Sequence, residues 1–129
     1  MAKHDMPCEP TPSDYLDYIR RFECIICEAP AEAAHVRYGD WSNYAKVSSG
    51  LSKKPDDCWA IPLCPNHHRL TNEAQHKGNE RRFWERHGID PLLYCVLLRH
   101  AYPDPEAAIW AFPRPIRPQY QSKPRKGDT

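Results

Sequence analysis

Apolar residues recur at three-and-four spacing in several stretches of the chain, and this period predicts amphipathic helices. Ser13, Asn79 and Asp90 each stand just before such a stretch, where a short polar side chain can cap the first helical turn. Gly88 follows one of them, in the position that glycine favours at a helix C-terminus. The last stretch is apolar nearly all round, so we expect that helix to be buried. The predicted helices cover 13–22, a segment that starts at 64–65, 79–87 and 91–101.

Two further segments predict a pair of strands that lie side by side. Residues 33–38 place Val36 and Tyr38 beside polar positions, and residues 59–63 form a compact apolar run. The segment between them has no sustained period and predicts a long loop over 39–57, of a length that usually serves function. We therefore expect an α+β fold. A loose lead-in at 1–12 precedes a single small domain at 13–101, and a disordered, Pro-rich basic tail follows at 102–129.

Composition narrows the classes of protein to consider. Among 129 residues, 18 Lys and Arg balance 17 Asp and Glu, so bulk positive charge is not what would hold a nucleic acid. Residues 1–60 carry 7 basic and 10 acidic side chains, whereas residues 61–129 carry 11 basic and 7 acidic ones. No apolar run approaches the roughly 18 residues that span a bilayer, and the N-terminus has no apolar leader. We therefore expect a cytoplasmic protein with no membrane partner and with reduced cysteines.

Two correctly spaced pairs of metal-binding residues are the strongest chemical signal. Cys24-x-x-Cys27 is followed about 36 residues later by Cys64-x-x-His67. Each two-residue gap lets a pair present its ligands from one turn, and three thiolates with one imidazole favour a structural zinc ion. Cys58 is a rival ligand but has no partner at this spacing. The alternative is that the four residues are buried free thiols and a helix-capping histidine.

Three further histidines and an asparagine suggest a second site. His68 follows His67 directly and must point to another side of its helix, so it can serve a different site. In an unbroken helix, His68, Asn72 and His76 would share one face, although a break at 71–73 would move His76 elsewhere. His35 lies on the first predicted strand, opposite this helix. A base and a divalent ion held by neutral side chains are what metal-assisted phosphodiester hydrolysis requires.

Six short motifs, in chain order, carry a resemblance to a known family. They are Cys24-Ile-Ile-Cys27, Ala34-His35-Val-Arg37, Lys53-Lys54-Pro55-x-Asp57, Trp59-x-Ile-Pro-Leu-Cys64-x-x-His67-His68, Gln75-His76-x-Gly78-Asn-Glu80 and Phe83-Trp84-x-x-x-Gly88-Ile-Asp-Pro91. Together they resemble the HNH nucleases of the bacteriophage recombination-enhancement (Ref-like) type, over roughly residues 22–91. The resemblance implies a small zinc-stabilised treble-clef or ββα-metal fold with flanking helices. It also implies a DNA endonuclease that uses Mg²⁺ or Mn²⁺ in phage or prophage recombination, with a RecA-like recombinase filament as a further partner.

The resemblance also implies roles for individual residues. His35 matches the strand histidine that acts as general base, and His68 matches the helix histidine that binds the catalytic ion. His76 matches a second metal or phosphate ligand, whereas Ala34 departs from the family because it supplies no ligand there. Asn72 is then a further candidate ligand. The matched zinc ligands are Cys24, Cys27, Cys64 and His67, and the candidate phosphate contacts are Arg37 and Lys54.

A different class of protein explains the zinc ligands equally well. A treble-clef module that binds nucleic acid or a protein partner without cutting it would use the same four residues and leave His35 and His68 as bystanders. If His35 and His68 instead face one open cleft, separate from the zinc site, the nuclease interpretation is favoured. The sequence leaves the DNA substrate and the oligomeric state open.

Overall fold

The structure is a computed structural model, and it describes residues 12–44, 46 and 56–104. It is a mixed α/β fold with a two-stranded sheet. In chain order the elements are α1 (Tyr15–Ile19), β1 (Glu32–His35), α2 (Trp41–Tyr44), a 3₁₀ turn (Asp57–Trp59), β2 (Ala60–Leu63), a π-helical turn (Asn66–Leu70), α3 (Glu80–His87) and α4 (Pro91–Ala101). None of the helices in these residues is long and apolar enough to cross a bilayer.

The two strands form the antiparallel hairpin that the apolar pattern predicted. Ala34 pairs with Ile61, and His35, the last residue of β1, pairs with Ala60. All four residues of β2 are buried, because α1 and α4 both pack against this strand. A strand covered in this way reads as a continuous apolar run rather than as an alternating one. The hairpin therefore brings His35 to the edge of the core.

The core lies between the hairpin and the helices α1 and α4. Its anchoring polar contact is the Tyr18 hydroxyl, which donates to the carbonyl oxygen of Leu98 over 2.7 Å. This bond satisfies a hydroxyl that would otherwise be buried without a partner. The largest side chains of this core with almost no exposure are Trp84, Tyr15, Tyr18, Phe22, Phe83, Ile19, Ile61, Leu63, Leu92, Leu98 and Val36.

Two of the predicted helix caps are confirmed. The Asn79 side chain accepts a hydrogen bond from the backbone N–H of Arg82, and α3 ends at Gly88 with a φ of 66°. Asp90 accepts from the backbone N–H groups of the two residues that follow Pro91, so α4 begins where the sequence predicted. As expected, α4 is largely buried. Local capping chemistry was sufficient to locate both helices.

The N-terminal helix differs from the expectation. It is a short helix of five residues, and the cap position is occupied by Asp14 without a capping side-chain bond, so the prediction of a Ser13 cap is wrong. The carbonyl oxygen of Pro12 accepts the N–H of Tyr15 over 3.1 Å. This backbone hydrogen bond satisfies one of the N–H groups at the start of the helix. A capping bond from the Ser13 hydroxyl to that N–H group is therefore not needed.

The long segment between the strands also contains structure that periodicity did not reveal. β1 ends at His35 rather than at residue 38, and α2 follows, with an isolated bridge between Asp40 and Lys46. Lys54, a candidate phosphate contact, lies outside the described residues, as do nearly all of the predicted lead-in and the tail beyond residue 104.

Candidate metal and active site

Cys24, Cys27, Cys64 and His67 converge on one point. Their ligand atoms all lie within 4.8 Å of one another. The Cys27 and Cys64 Sγ atoms are 3.6 Å apart, and His67 Nδ1 lies 3.3 Å from the Cys64 Sγ and 3.8 Å from the Cys24 Sγ. Tetrahedral zinc requires about 3.8 Å between two sulfurs and about 3.6 Å between sulfur and nitrogen, from bond lengths of about 2.3 and 2.05 Å. The cluster is therefore compatible with a structural metal ion such as zinc.

Local structure explains why the first pair converges. The Ile26 N–H donates to the Cys24 Sγ over 3.4 Å, and the N–H of Cys24 donates to the carbonyl oxygen of Ala29 over 2.8 Å. Glu28 adopts a positive φ of 69°, which turns the chain back toward β1. The pair therefore lies on a tight knuckle, as its spacing indicated.

The second pair lies at the end of the hairpin. Cys64 directly follows β2, and His67 is in the π-helical turn. Burial lowers the pKa of His67, which favours the neutral imidazole that a metal requires. Burial is also the main cause that raises the pKa of the Cys27 thiol to about 11, so a metal ion that binds here must displace protons.

The other two described cysteines lie outside this cluster. Cys95 is a fully buried core residue, in keeping with the predicted burial of the last helix. Cys58 is also buried and is not part of the metal-binding group. It is disulfide-bonded, which corrects the expectation of reduced cysteines for this residue, whereas the other four described cysteines are free thiols.

A small open cleft lies apart from the Cys3His cluster and contains two of the predicted site histidines. Its volume is about 100 Å³. His35 comes from the end of β1, and His76 comes from the loop that precedes α3. The lining residues are His35, Arg37, Gln75, His76, Gly78 and Glu80. The cleft thus brings together a strand histidine, a loop histidine and an arginine.

His35 is held by a carboxylate. Its Nε2 lies 3.0 Å from Oδ1 of Asp57, which is the first residue of the 3₁₀ turn. The His35 side chain is only 14% exposed. When Asp57 accepts the Nε2 proton, the neutral ring carries its basic lone pair on Nδ1. Asp57 therefore fixes both the ring orientation and its tautomer.

His68 does not line the cleft with His35, contrary to the arrangement that the nuclease interpretation expected, and belongs instead to a charged network that touches His76. Its Nδ1 lies 2.6 Å from Oε1 of Glu32, and Arg69 donates to both oxygens of the same carboxylate over 3.0 Å. The Arg69 hydrogen bonds, followed by that of His68, lower the pKa of Glu32 to about 2. The His68 and His76 rings are in edge contact, with centroids 4.7 Å apart. Burial and then the charge of His68 lower the pKa of His76.

Asn72 does not join the cleft. The turn that begins after Cys64 ends at Leu70, where the N–H of Thr71 reaches back to the carbonyl oxygen of Asn66 over 3.4 Å. The structure has the break at 71–73 that was the alternative to an unbroken helix. Asn72 is therefore exposed, does not share a helical face with His68 and is not among the residues that line the cleft. His76 still reaches His68, because its N–H donates to the carbonyl oxygen of His68 over 3.1 Å.

The buried carboxamide of Gln75 and the half-buried carboxylate of Glu80 also line the cleft, and sequence reasoning gave neither a role. The Gln75 Nε2 donates to the His35 carbonyl oxygen over 2.9 Å and to Glu80 Oε2 over 2.8 Å. Glu80 also accepts from the Trp84 indole over 3.0 Å and from the Arg37 backbone N–H over 3.0 Å. Both residues belong to a motif of the resemblance, which was the available signal.

The side chains that line the cleft are not placed to hold a metal ion by themselves. Within the described ranges, the Cys3His cluster is the one group of three or more His, Cys, Asp and Glu side chains placed to share an ion. The cleft offers imidazoles and an amide instead. A divalent ion there would therefore depend on two imidazoles, an amide oxygen, water and the ligand itself.

Comparison with known proteins identifies the family. A family model described as "Protein of unknown function (DUF968)" matches residues 9–103. The chain belongs to the DUF968 family. No curated protein and no solved structure matches it. The DUF968 match spans both halves of the Cys3His cluster and every residue that lines the cleft.

Proposed function

We propose that this protein is a metal-dependent DNA endonuclease of the HNH type, with a zinc-stabilised treble-clef or ββα-metal fold. The observation that carries the proposal is the cleft that lies apart from the Cys3His cluster. There His35, oriented by Asp57, lies with His76 and Arg37 around a space of about 100 Å³. This juxtaposition of a base, a metal-binding imidazole and a cation is what hydrolysis of a phosphodiester requires.

In this mechanism His35 is the general base. It accepts the proton of the attacking water, and the carboxylate of Asp57 stabilises the imidazolium that forms, as it lies 3.0 Å from Nε2. Arg37 adds positive charge at the phosphate from the cleft wall. The backbone N–H of Arg37 donates a hydrogen bond to Glu80. This bond fixes the backbone position from which the Arg37 side chain extends.

His76 and His68 are the residues that would hold the catalytic Mg²⁺ or Mn²⁺ ion. The His76 ring lines the cleft and is in edge contact with the His68 ring, with centroids 4.7 Å apart. Burial lowers the pKa of His76, which favours its neutral, metal-binding form. When bound, the ion supplies positive charge for the phosphate and its leaving oxygen. The Glu32 contact at Nδ1 of His68 sets the tautomer, as such outer partners do in metal sites.

The substrate in this proposal is DNA, and the setting is the cytoplasm of a bacterial or phage-infected cell. Lys54 is a further candidate phosphate contact, and a RecA-like filament is a candidate partner. These assignments extend the resemblance described above. The cleft itself supports the reaction class, because its polar lining suits a charged phosphate.

Plasmid cleavage tests the proposal. Zinc-loaded protein with Mg²⁺ or Mn²⁺ should convert supercoiled plasmid to the nicked form, and His35→Ala should lower the rate by about 10²–10⁴-fold. His100→Ala is a matched control, because His100 is exposed on α4 and does not line the cleft. Both variants should keep the wild-type zinc content.

A module that binds without cutting is the competing function, and one observation favours it. Within the described residues, the His, Glu and other metal-binding side chains of the cleft do not bring three ligand atoms close enough together to share an ion. This alternative predicts DNA or protein binding that needs the Cys3His cluster but is indifferent to His35→Ala and to divalent ions. The two functions therefore give opposite results in the same plasmid experiment.

A further inference from the structure

The Gln75 side chain is locked in one orientation. Its Nε2 donates to the carbonyl oxygen of His35 and to the carboxylate of Glu80, and both of these partners can only accept hydrogen bonds. The amide nitrogen must therefore face them, and the amide oxygen must face the opposite way. Gln75 is 96% buried, since its exposed fraction is 4%.

The oxygen of this amide has no partner. Gln75 Oε1 is a buried acceptor with no hydrogen bond, although the other end of the same amide makes two. A buried polar atom in a native protein nearly always has a partner, and an exception calls for an explanation. Gln75 also lines the cleft, next to His76 in the chain. The missing partner is therefore one that enters the cleft.

The unpartnered amide oxygen and the neighbouring His76 imidazole are both suited to a divalent cation as that partner. Amide oxygens are ligands of Mg²⁺ and related ions, which approach an oxygen to about 2.1 Å. Glu80 is less suited to the ion, because its two oxygens already accept from three N–H donors.

We propose that Gln75 Oε1, together with the His76 imidazole, binds a divalent cation in the cleft. Gln75 thus supplies the amide ligand that was predicted at Asn72. The proposal rests on the proposed function only for what the ion does, and binding of the ion can be measured without DNA. The two Nε2 hydrogen bonds hold the oxygen in position before the ion arrives, which lowers the ordering cost of binding.

Mn²⁺ binding to the zinc-loaded protein, measured by electron paramagnetic resonance, tests this proposal. Gln75→Leu should weaken Mn²⁺ binding at least tenfold. Gln75→Glu should bind Mn²⁺ at least as tightly as wild type, because a carboxylate oxygen is a stronger ligand. A purely structural role predicts the opposite for Gln75→Glu, since the variant loses both Nε2 donors and faces the Glu80 carboxylate. Glu85→Gln, on the exposed side of α3, is the control and should leave binding unchanged.

Two results would overturn the proposal. One is wild-type Mn²⁺ affinity in Gln75→Leu, and the other is equal weakening in Gln75→Leu and Gln75→Glu. Far-UV circular dichroism and zinc content show whether the variants fold. If neither does, pulsed resonance of Mn²⁺ bound to wild type decides, because coupling to an imidazole nitrogen must be present and must vanish in His76→Ala. Plasmid cleavage with wild-type Mn²⁺ affinity in Gln75→Leu would reject this ligand while leaving the nuclease function intact.

Discussion

Removal of the metal from the Cys3His cluster should unfold the protein. The ligands come from the knuckle before β1, from the end of β2 and from the turn that follows, so one ion would join three segments. The binding free energy of structural zinc in small domains is about 10–16 kcal/mol, whereas a domain of this size has a net stability of about 5–15 kcal/mol. A zinc ion bound there would therefore contribute as much as the whole net stability.

The expected effect on melting is large. Even a loss of about 3 kcal/mol would lower the Tm of a domain of about 100 residues by roughly 12–24 °C. We expect a chelator to remove the cooperative transition altogether, and Cys64→Ser to give a chain that binds no zinc. Thermal unfolding followed by far-UV circular dichroism, with zinc quantified by a colorimetric chelator, measures both.

Cys95→Ala is the matched control for this experiment. Cys95 is a buried cysteine on α4 outside the cluster, with its Sγ 3.6 Å from the carbonyl oxygen of Ala60. Loss of this side chain leaves a small cavity and should cost about 1–2 kcal/mol without changing zinc content. A chelated wild-type protein that melts within a few degrees of the zinc-loaded form would refute the structural role of the cluster.

Three further outcomes are expected. Asp57→Asn should slow plasmid nicking by about tenfold to a hundredfold at unchanged zinc content, since it weakens the partner that orients His35 and stabilises its charge; an unchanged rate would remove Asp57 from the site. Glu32→Gln should destabilise the fold by about 1 kcal/mol at pH 7 in urea unfolding, a modest value because the Arg69 side chain is 53% exposed. Folding lowers the pKa of Glu32 from 4.5 to about 2, so the difference between the two proteins should be complete above pH 4.5 and shrink as the pH falls toward 2. Arg37→Ala should weaken DNA binding and reduce its salt dependence by about one counterion, measured by fluorescence anisotropy at several salt concentrations.

Elements with local signals could be predicted from the sequence. Asn79 and Asp90 cap their helices, and Gly88 ends α3 with a positive φ. These features depend on a few neighbouring residues, so spacing and residue type reveal them. The ligands of the Cys3His cluster could be predicted in the same way, because the two members of each pair are only three residues apart in the sequence.

Contacts between distant residues could not be predicted in this way. The bond between His35 and Asp57 crosses 22 positions, and that between Gln75 and the His35 carbonyl oxygen crosses 40. The hydrophobic periodicity of a segment predicts its secondary structure, but it does not predict which distant residue its side chains contact. The helix break at Thr71 is a related case, because a longer helix would have placed Asn72 beside His68.

The most direct test of the central claim is the rate at which zinc-loaded protein cleaves supercoiled plasmid as Mn²⁺ is added, compared between wild type and His35→Ala. The mechanism predicts cleavage that rises with Mn²⁺ in wild type and falls by about 10²–10⁴-fold in His35→Ala, with equal zinc content and equal DNA binding. Cleavage by His35→Ala at the wild-type rate, or DNA binding by wild type with no cleavage at any Mn²⁺ concentration, would contradict it.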